Sequence, residues 1–152
     1  MLLDEFRARL AAEVAELPAE RLQFAADLAE LVRQNALPNA PVSGFLLDAG
    51  TRPVDQGQSG AGFFIQAVEQ RVATVLVFNS ANDVSGGNAV ARADAIVAGV
   101  MAAPLGWAPA SDGSRVYTTD FRLGGSEVSS LVNGRVIYQL EHVIGLQLRI
   151  IA

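Results

Sequence analysis

The sequence of 152 residues contains no cysteine and no lysine. Without cysteine, disulfides, thiol nucleophiles and thiolate metal sites are excluded together. Without lysine, a phosphate-binding loop of the Walker type is excluded, because that loop requires a lysine after its glycines. All eleven basic residues are therefore arginines, and the net charge is −5. A chain this acidic has no bulk attraction to nucleic acid.

Histidine and tryptophan each occur once. His142 falls in the apolar register of the last predicted strand, where neighbouring Glu141 points to the opposite face. A catalytic histidine needs a nucleophile or carboxylate partner, so a packed, hydrogen-bonded His142 is favoured. One histidine without cysteine is also a poor basis for a zinc site. Trp107 follows a helix in a Pro/Gly-rich break and is expected to pack on the core rather than in an interface.

The loop acids show no spacing that indicates chemistry. Asp48, Asp55 and Asp83 lie in predicted loops, but the twelve-residue calcium-loop pattern is absent. Solvated acids are the favoured interpretation, and a hydrolase would require these three side chains to converge. The sequence thus predicts no catalytic, cofactor-binding or metal-binding residue.

Long apolar segments are also missing. The longest uncharged stretch, 95–111, is broken by two prolines and falls short of the ~20 apolar residues of a membrane span. The acidic N-terminus does not resemble a signal peptide. Mean hydropathy is nevertheless +0.30. This surplus indicates either subunit interfaces or an alanine-rich core, and the sequence leaves both open.

Apolar periodicity predicts two helices in the first part of the chain. One covers 2–16 and ends at Pro18, and a second lies within 19–34. Alternatively, residues 20–24 form a short extended piece before a helix that starts at Ala25. A short strand at 42–47 leads into a long polar loop at 48–62, and loops of this kind are either functional or disordered.

The second part of the chain alternates between long strands and one helix. Strands are predicted at 63–78, 115–123 and 135–149, and a helix at 88–103. The last strand is unusually long, so either Gly145 bends it or part of it reaches beyond its own domain. We therefore predict one α+β domain over residues 1–152, with a mainly antiparallel, mixed sheet of about four strands packed against two to three helices.

The turn at 79–87 joins a strand to a helix, as nucleotide-binding loops do. Its glycines, Gly86 and Gly87, are adjacent, whereas a dinucleotide fingerprint needs G-x-G-x-x-G. Ser85 or Asn88 can cap the helix that follows. The turn is expected to reverse the chain and to cap this helix.

Four segments in order resemble the tail terminator, or tail-completion, proteins of long-tailed bacteriophages and of related prophage and gene-transfer-agent particles. They are "FAADLAELVRQNALPNAPVSGFLL", "RVATVLVFNSAND", "ARADAIVAGVMAAPLGWAP" and "LVNGRVIYQLEHVIGLQLR". The best markers are the Asn133-Gly134 hairpin turn and the Leu105-Gly106-Trp107 break. The resemblance covers about residues 20–149, and the order of the segments carries it.

The resemblance implies a structural virion protein and not an enzyme. Such proteins form a ring, usually of six copies, that caps the tail tube, ends its polymerisation and offers a surface for joining the head. The implied partners are other copies of the chain, the tail tube protein, a head-tail connector or stopper protein and, less directly, the tape measure protein. DNA would only pass through the lumen, and no membrane partner or cofactor is implied. The implied location is the head-proximal end of the virion tail, after assembly in the host cytoplasm.

Three regions are candidates for assembly contacts because of loop polarity and strand length. They are loop 48–62, turn 79–87 and the last strand with its hairpin. The candidate interface residues are Arg52, Asp55, Gln58, Asn82, Asp83, Arg135, Glu141 and Arg149. The alternative functions are a neighbouring neck or connector component, or a small-molecule-binding or regulatory module with a pocket between helix 88–103 and the sheet.

Overall fold

The computed structural model describes residues 2–25, 30, 33, 41–79, 87–132 and 135–151. Asn82, Asp83, Ser85 and the Asn133-Gly134 pair lie outside these residues. Most of the second predicted helix and of turn 79–87 also lies outside them. The predictions made for those segments therefore stay predictions.

The N-terminal segment packs as an amphipathic helix. Helix α1 covers Leu2–Glu13, slightly shorter than predicted, and Phe6 and Leu10 lie fully buried on its inner face. A 3-10 turn at Ala19–Arg21 leads into a short strand, β1, at Leu22–Phe24. The extended alternative for residues 20–24 is therefore correct at its C-terminal end.

Six further strands and one helix follow β1 in the described residues. Helix α2 covers Gly87–Ala102, close to the predicted 88–103. The strands are β2 (Val42–Pro53), β3 (Gln58–Gly60), β4 (Phe63–Asn79), β5 (Arg115–Tyr117), β6 (Arg122–Val132) and β7 (Arg135–Ile151).

The centre of the sheet is an antiparallel ribbon of β4 and β7. The two strands pair without a register shift from Phe63↔Ile151 to Asn79↔Arg135. At ~3.3 Å per residue, the seventeen residues of each strand span roughly 55 Å. The register continues through Gly145, and residues 149–151 at the end of β7 are exposed. The end of β7 thus extends past the core, and a reach beyond its own domain stays a prediction.

Shorter strands pair with both sides of this ribbon. On one side β2 pairs antiparallel with β4 and carries β1 parallel at its own outer edge, while β3 pairs with the start of β4. On the other side β6 and β5 pair antiparallel with successive parts of β7. One extra residue of β2 between Asp48 and Thr51 forms a bulge, where Gly50 has φ of 101° and donates its N–H to Asp48 Oδ1 at 2.9 Å.

The two faces of the sheet differ in what covers them. Even-numbered residues of β4 and β7 face α1 and α2 and form the main core, which includes Val72, Leu76, Leu140 and Ile144. Odd-numbered residues form the second face. A small cluster of Phe45, Val75 and Val77 covers one end of this second face, and charged side chains occupy its middle.

The predicted fold class is wrong in its balance of sheet and helix. Within the described residues the protein is mostly sheet, with 53% strand and 24% helix, and it has a seven-stranded mixed sheet with two α-helices instead of about four strands with two to three helices. The three-residue strands β1, β3 and β5 are too short to carry a periodic pattern. The polar segment predicted as a loop at 48–62 also forms the end of β2 and all of β3, because each pairs with the long strand β4.

Candidate assembly surface

Two opposite edges of the sheet have no partner strand in the described part of the chain. One is the outer edge of β6, where residues 122–128 are exposed. The other is the outer edge of β2 over 48–53, because β1 covers β2 only at Gly44–Leu46. Unpaired backbone N–H and C=O groups at such edges are ready to pair with another chain. The protein therefore presents two unlike edges suited to strand pairing.

One end of the sheet exposes apolar side chains. This end, formed by the β2–β3 turn and the adjoining ends of β4 and β7, is called the apolar end below. Its exposed side chains and their exposed fractions are Val54 (62%), Phe63 (45%), Ile150 (62%) and Ile151 (79%). Scattered apolar side chains are common on surfaces, but several at one protruding end indicate a contact region.

Asp55 fixes the backbone of the apolar end. Its Oδ1 accepts hydrogen bonds from Gly57 N at 2.9 Å and Ala67 N at 3.2 Å. Its carbonyl oxygen accepts a further bond from Gln66 Nε2 at 2.9 Å. The carboxylate predicted as an assembly contact thus holds its own turn against β4.

A network of ion pairs lies on the second face of the sheet. Arg71 pairs with Glu141 and lies 4.0 Å from Glu69, which in turn pairs with Arg122 at 2.5 Å. The network joins β4, β6 and β7, and Val143 is buried among these strands. Glu141, a predicted interface residue, is therefore already neutralised within its own chain.

A cleft of about 380 Å³ lies on the same face, beside β6. It is lined by Gly124, Gly125, Ser126, Glu127, Gln139 and Glu141. Glu127 is exposed and forms no ion pair within the described part of the chain. The cleft therefore contains one carboxylate that no described cation neutralises.

Arg52 is the matching charge at the opposite edge. It is exposed, lies directly across from Glu69 in the β2–β4 register, and so shares the second face of the sheet. Like Glu127, it has no ion-pair partner among the residues that the structure describes. The two unpaired charges thus stand on one face, at opposite edges of the sheet.

The other predicted interface residues are spread over the sheet. Gln58 is exposed in β3 opposite Ile65. Arg149 is exposed near the apolar end, where its Nη2 donates to Gln147 Oε1 at 3.0 Å. Arg135 is half-buried at the start of β7, at the other end of the ribbon. Sequence reasoning missed Glu127 and Arg122. Simple alternation along β6 would place them on opposite faces, and they share the second face only because of the register shift between Leu123 and Gly125.

Three residues that were considered as catalytic, interface or metal-binding candidates pack or form hydrogen bonds within the chain itself. His142 is fully buried, and its Nε2 donates to the Met101 carbonyl at 3.0 Å. Trp107 stacks on Phe121 with ring centroids 5.8 Å apart, which confirms the expected packing role. Asp48 accepts a hydrogen bond within its own turn. Among the described residues no cluster of three or more His, Cys, Asp or Glu side chains could hold a metal ion.

The alternative function as a small-molecule-binding module predicts a pocket between α2 and the sheet. In the structure, Ala93, Ile96 and Val100 of α2 are buried against the sheet as part of the main core. Separately, no helix in the described ranges is long and apolar enough to cross a membrane.

The comparison with protein families identifies the chain. A family model described as "Phage tail terminator protein" matches residues 3–152. The match confirms the resemblance inferred from the ordered segments and extends it over nearly the whole chain. A search of curated proteins finds no match.

Proposed function

Because this chain belongs to the phage tail terminator family, a family of structural proteins, we propose that its copies form a ring, of six subunits, that caps the tail tube. The chain is a structural component of a phage tail and interacts with other virion proteins. In the proposal the ring ends tube polymerisation and provides the surface on which the head is joined. The whole chain, residues 1–152, acts as one domain in this role.

The observation that carries the ring proposal is the pair of unlike free edges on one sheet. A closed ring requires a head-to-tail contact in which one surface of a subunit binds a different surface of the next. The outer edge of β6 and the 48–53 edge of β2 are two such surfaces, and they form opposite lateral edges of the same sheet. An edge that pairs with a neighbour gains backbone hydrogen bonds that the isolated subunit lacks.

The apolar end supports tube capping. Stable interfaces need apolar side chains buried at their centre, and the exposed Phe63, Ile150 and Ile151 supply them at one end of the ribbon. We assign this end to the last ring of tube protein. The opposite end of the ribbon, at Asn79 and Arg135, is assigned to the head-tail connector or stopper protein, and Asn82 and Asp83 are proposed to contact that protein. The tape measure protein and the DNA meet only the lumen of the ring.

The protein is proposed to reside at the head-proximal end of the tail, with assembly in the host cytoplasm. A neighbouring neck component would use similar edges for ring formation but would not bind a bare tube end. A small-molecule-binding module would be a monomer or dimer that gains thermal stability with its ligand. Tube binding therefore separates a terminator from both alternatives, and ring formation separates the two alternatives from each other.

The test is electron microscopy of purified protein mixed with unterminated tail tubes. The wild-type protein is expected to add a ring at one end of each tube and to stop further addition of tube subunits. The double variant Ile150→Glu with Ile151→Glu is expected to lose tube binding, because it places charge on the apolar end. Both side chains are largely exposed, so folding is expected to be retained.

The control is Leu105→Glu, which adds a glutamate at an exposed apolar residue outside the apolar end. It should cap tubes like the wild type. Wild-type protein that leaves tube ends free to grow would overturn the proposed function. Normal capping by the Ile150/Ile151 variant would overturn the assignment of the apolar end to the tube.

A further inference from the structure

Building on the proposed ring, we propose that the free stretch of β2 in one subunit pairs antiparallel with β6 of the next copy, and that Arg52 forms an ion pair with Glu127 of that neighbour. The partner is thus a second copy of this chain. The contact joins the two edges described above and fills the cleft beside β6 with an arginine side chain.

Strand directions agree with this pairing. From edge to edge, β2, β4, β7 and β6 alternate in direction, because each neighbouring pair is antiparallel. Because the direction alternates over four strands, the outermost strands β2 and β6 run in opposite directions. When the same sheet repeats side by side, β6 of one copy meets β2 of the next in antiparallel orientation. The repeat therefore continues the pairing pattern that the subunit already uses.

The faces agree as well. Arg52 lies opposite Glu69, and Glu127 lies opposite Gln139, which pairs with Val75. Glu69 and Val75 are both odd-numbered residues of β4 and share the second face. In a continuous sheet Arg52 of one copy therefore points to the same side as Glu127 of the next. Opposite charges that face each other across neighbouring strands attract.

A displacement of the neighbouring copy along the strand direction brings Arg52 level with Glu127. Arg52 is level with Glu69 of β4 and Glu127 with Val75, so the neighbour must be displaced by six residues along the strands. This displacement also removes an obstruction. Strand β1 is level with Thr74 to Leu76 and would otherwise lie in front of β6. After the displacement β1 lies just past the level of Asn79, where β6 ends.

The size of the stagger is compatible with closure. Six residues correspond to ~20 Å along the strands, and four strand rows to ~19 Å across them. Their ratio corresponds to a strand tilt of about 45°, at the upper end of the 35–45° typical of closed sheets. Pairing in the displaced register thus suits a ring and not a flat array.

The first test uses the natural absence of cysteine. Arg52→Cys and Glu127→Cys are combined in the full-length chain, and oxidised rings on tube ends are run on a non-reducing gel. Residues opposite each other in antiparallel strands have Cα atoms ~4.5–5.5 Å apart, which suits a disulfide. The expected result is a ladder of cross-linked subunits. Each single-cysteine variant is the control, and it should give no ladder beyond a trace of dimer.

The second test reverses the charges. Arg52→Glu and Glu127→Arg are each expected to weaken ring association about ten-fold or more, and the double reversal to restore it to within about three-fold. Association is measured as the protein concentration needed to form rings. Arg92→Glu and Asp94→Arg, at exposed residues of α2, are the matched controls and should leave this concentration unchanged.

The outcomes separate the contact from the function. Rings that form normally, without a ladder and without an effect of reversal, would overturn the contact and leave the proposed ring in place. A wild-type protein that never forms rings, alone or on tubes, would overturn the proposed function and the contact together. A ladder with charge rescue in the double variant supports both.

Discussion

His142 Nε2 donates a 3.0 Å hydrogen bond to the carbonyl oxygen of Met101, which ties β7 to the C-terminal end of α2. A carbonyl oxygen only accepts, so Nε2 carries the hydrogen and Nδ1 is left unprotonated. Nδ1 is buried without a hydrogen-bond partner among the described residues, and the centroids of the His142 and Phe6 rings are 5.7 Å apart. Burial therefore lowers the pKa of His142 below its usual value.

This histidine predicts a loss of stability in mild acid. Above about pH 6.5 the imidazole is neutral in both the folded and unfolded states and adds no pH dependence. As pH falls below that value, the unfolded state takes up the proton first. The free energy of unfolding should then fall by up to about 1.4 kcal/mol per pH unit, until the lower folded-state pKa is reached. Urea unfolding between pH 5 and 7.5 measures this slope.

His142→Gln is the control for this slope. Its amide can donate to Met101 but cannot take up a proton, so its stability should vary less with pH between 5 and 7 than that of the wild type. The comparison uses the slope and not the absolute stability, which the substitution also changes. Equal slopes in the two proteins would show that His142 is not the titrating group.

Alanine substitutions at two glycines of the apolar end are predicted to lower the free energy of unfolding by different amounts. Gly57 and Gly62 both have positive φ, 81° and 79°. A Cβ at Gly57 would come within 2.4 Å of Phe64 Cζ, whereas a Cβ at Gly62 would meet no atom within 4 Å. Gly62→Ala should cost about 1 kcal/mol from backbone strain, and Gly57→Ala about 2–4 kcal/mol from strain plus overlap. Urea unfolding of both variants measures the difference.

Gly113→Ala serves as the reference, because its Cβ would enter open space and its φ is not positive. It should change the free energy of unfolding by less than about 0.5 kcal/mol. Equal destabilisation by the Gly57 and Gly62 variants would contradict a close approach of Phe64 to the turn.

Removing the Asp55 side chain is predicted to speed amide hydrogen exchange locally, at the turn that this side chain holds. Asp55→Ala removes the acceptor for Gly57 N and Ala67 N and should lower the free energy of unfolding by about 1–2 kcal/mol. Asp55→Asn keeps an oxygen acceptor and should cost less. Amide hydrogen exchange should become faster at Gly57 and Ala67 in the alanine variant. Unchanged exchange at both amides would mean that the side chain does not hold the turn.

The long strands could be predicted because their pattern is long. Alternation over 63–78 and 135–149 predicted β4 and β7 to within two residues at each end, since a buried face imposes a period of two. The second helix of the structure, α2, was predicted for the same kind of reason, from its period of about 3.6. The strand β3 could not be predicted, because three residues paired with a longer neighbour need no pattern of their own. The predicted strand 115–123 was wrong in its extent, because only its ends are strand, in β5 and at the start of β6.

The candidate surface was predictable only in part. Polarity drew attention to Arg52 and Gln58, and both are exposed near the free edge of β2. Polarity could not show that Asp55 and Glu141 have partners within the chain, because those partners are distant in sequence: Ala67 for the first and Arg71 for the second. Glu127 was missed because its place at a free edge of the sheet depends on the strand order and not on the pattern of its own segment.

The bulge between Asp48 and Thr51 has a consequence for how such a surface can evolve. The bulge takes up one extra residue, and regular pairing with β4 resumes beyond it at Thr51. Deleting that residue would leave Arg52 opposite Glu69 and Val42 to Leu47 in their places, but it would straighten the strand. A length change of one residue at this point would therefore alter the bend of the edge and not the set of side chains that a neighbouring molecule meets.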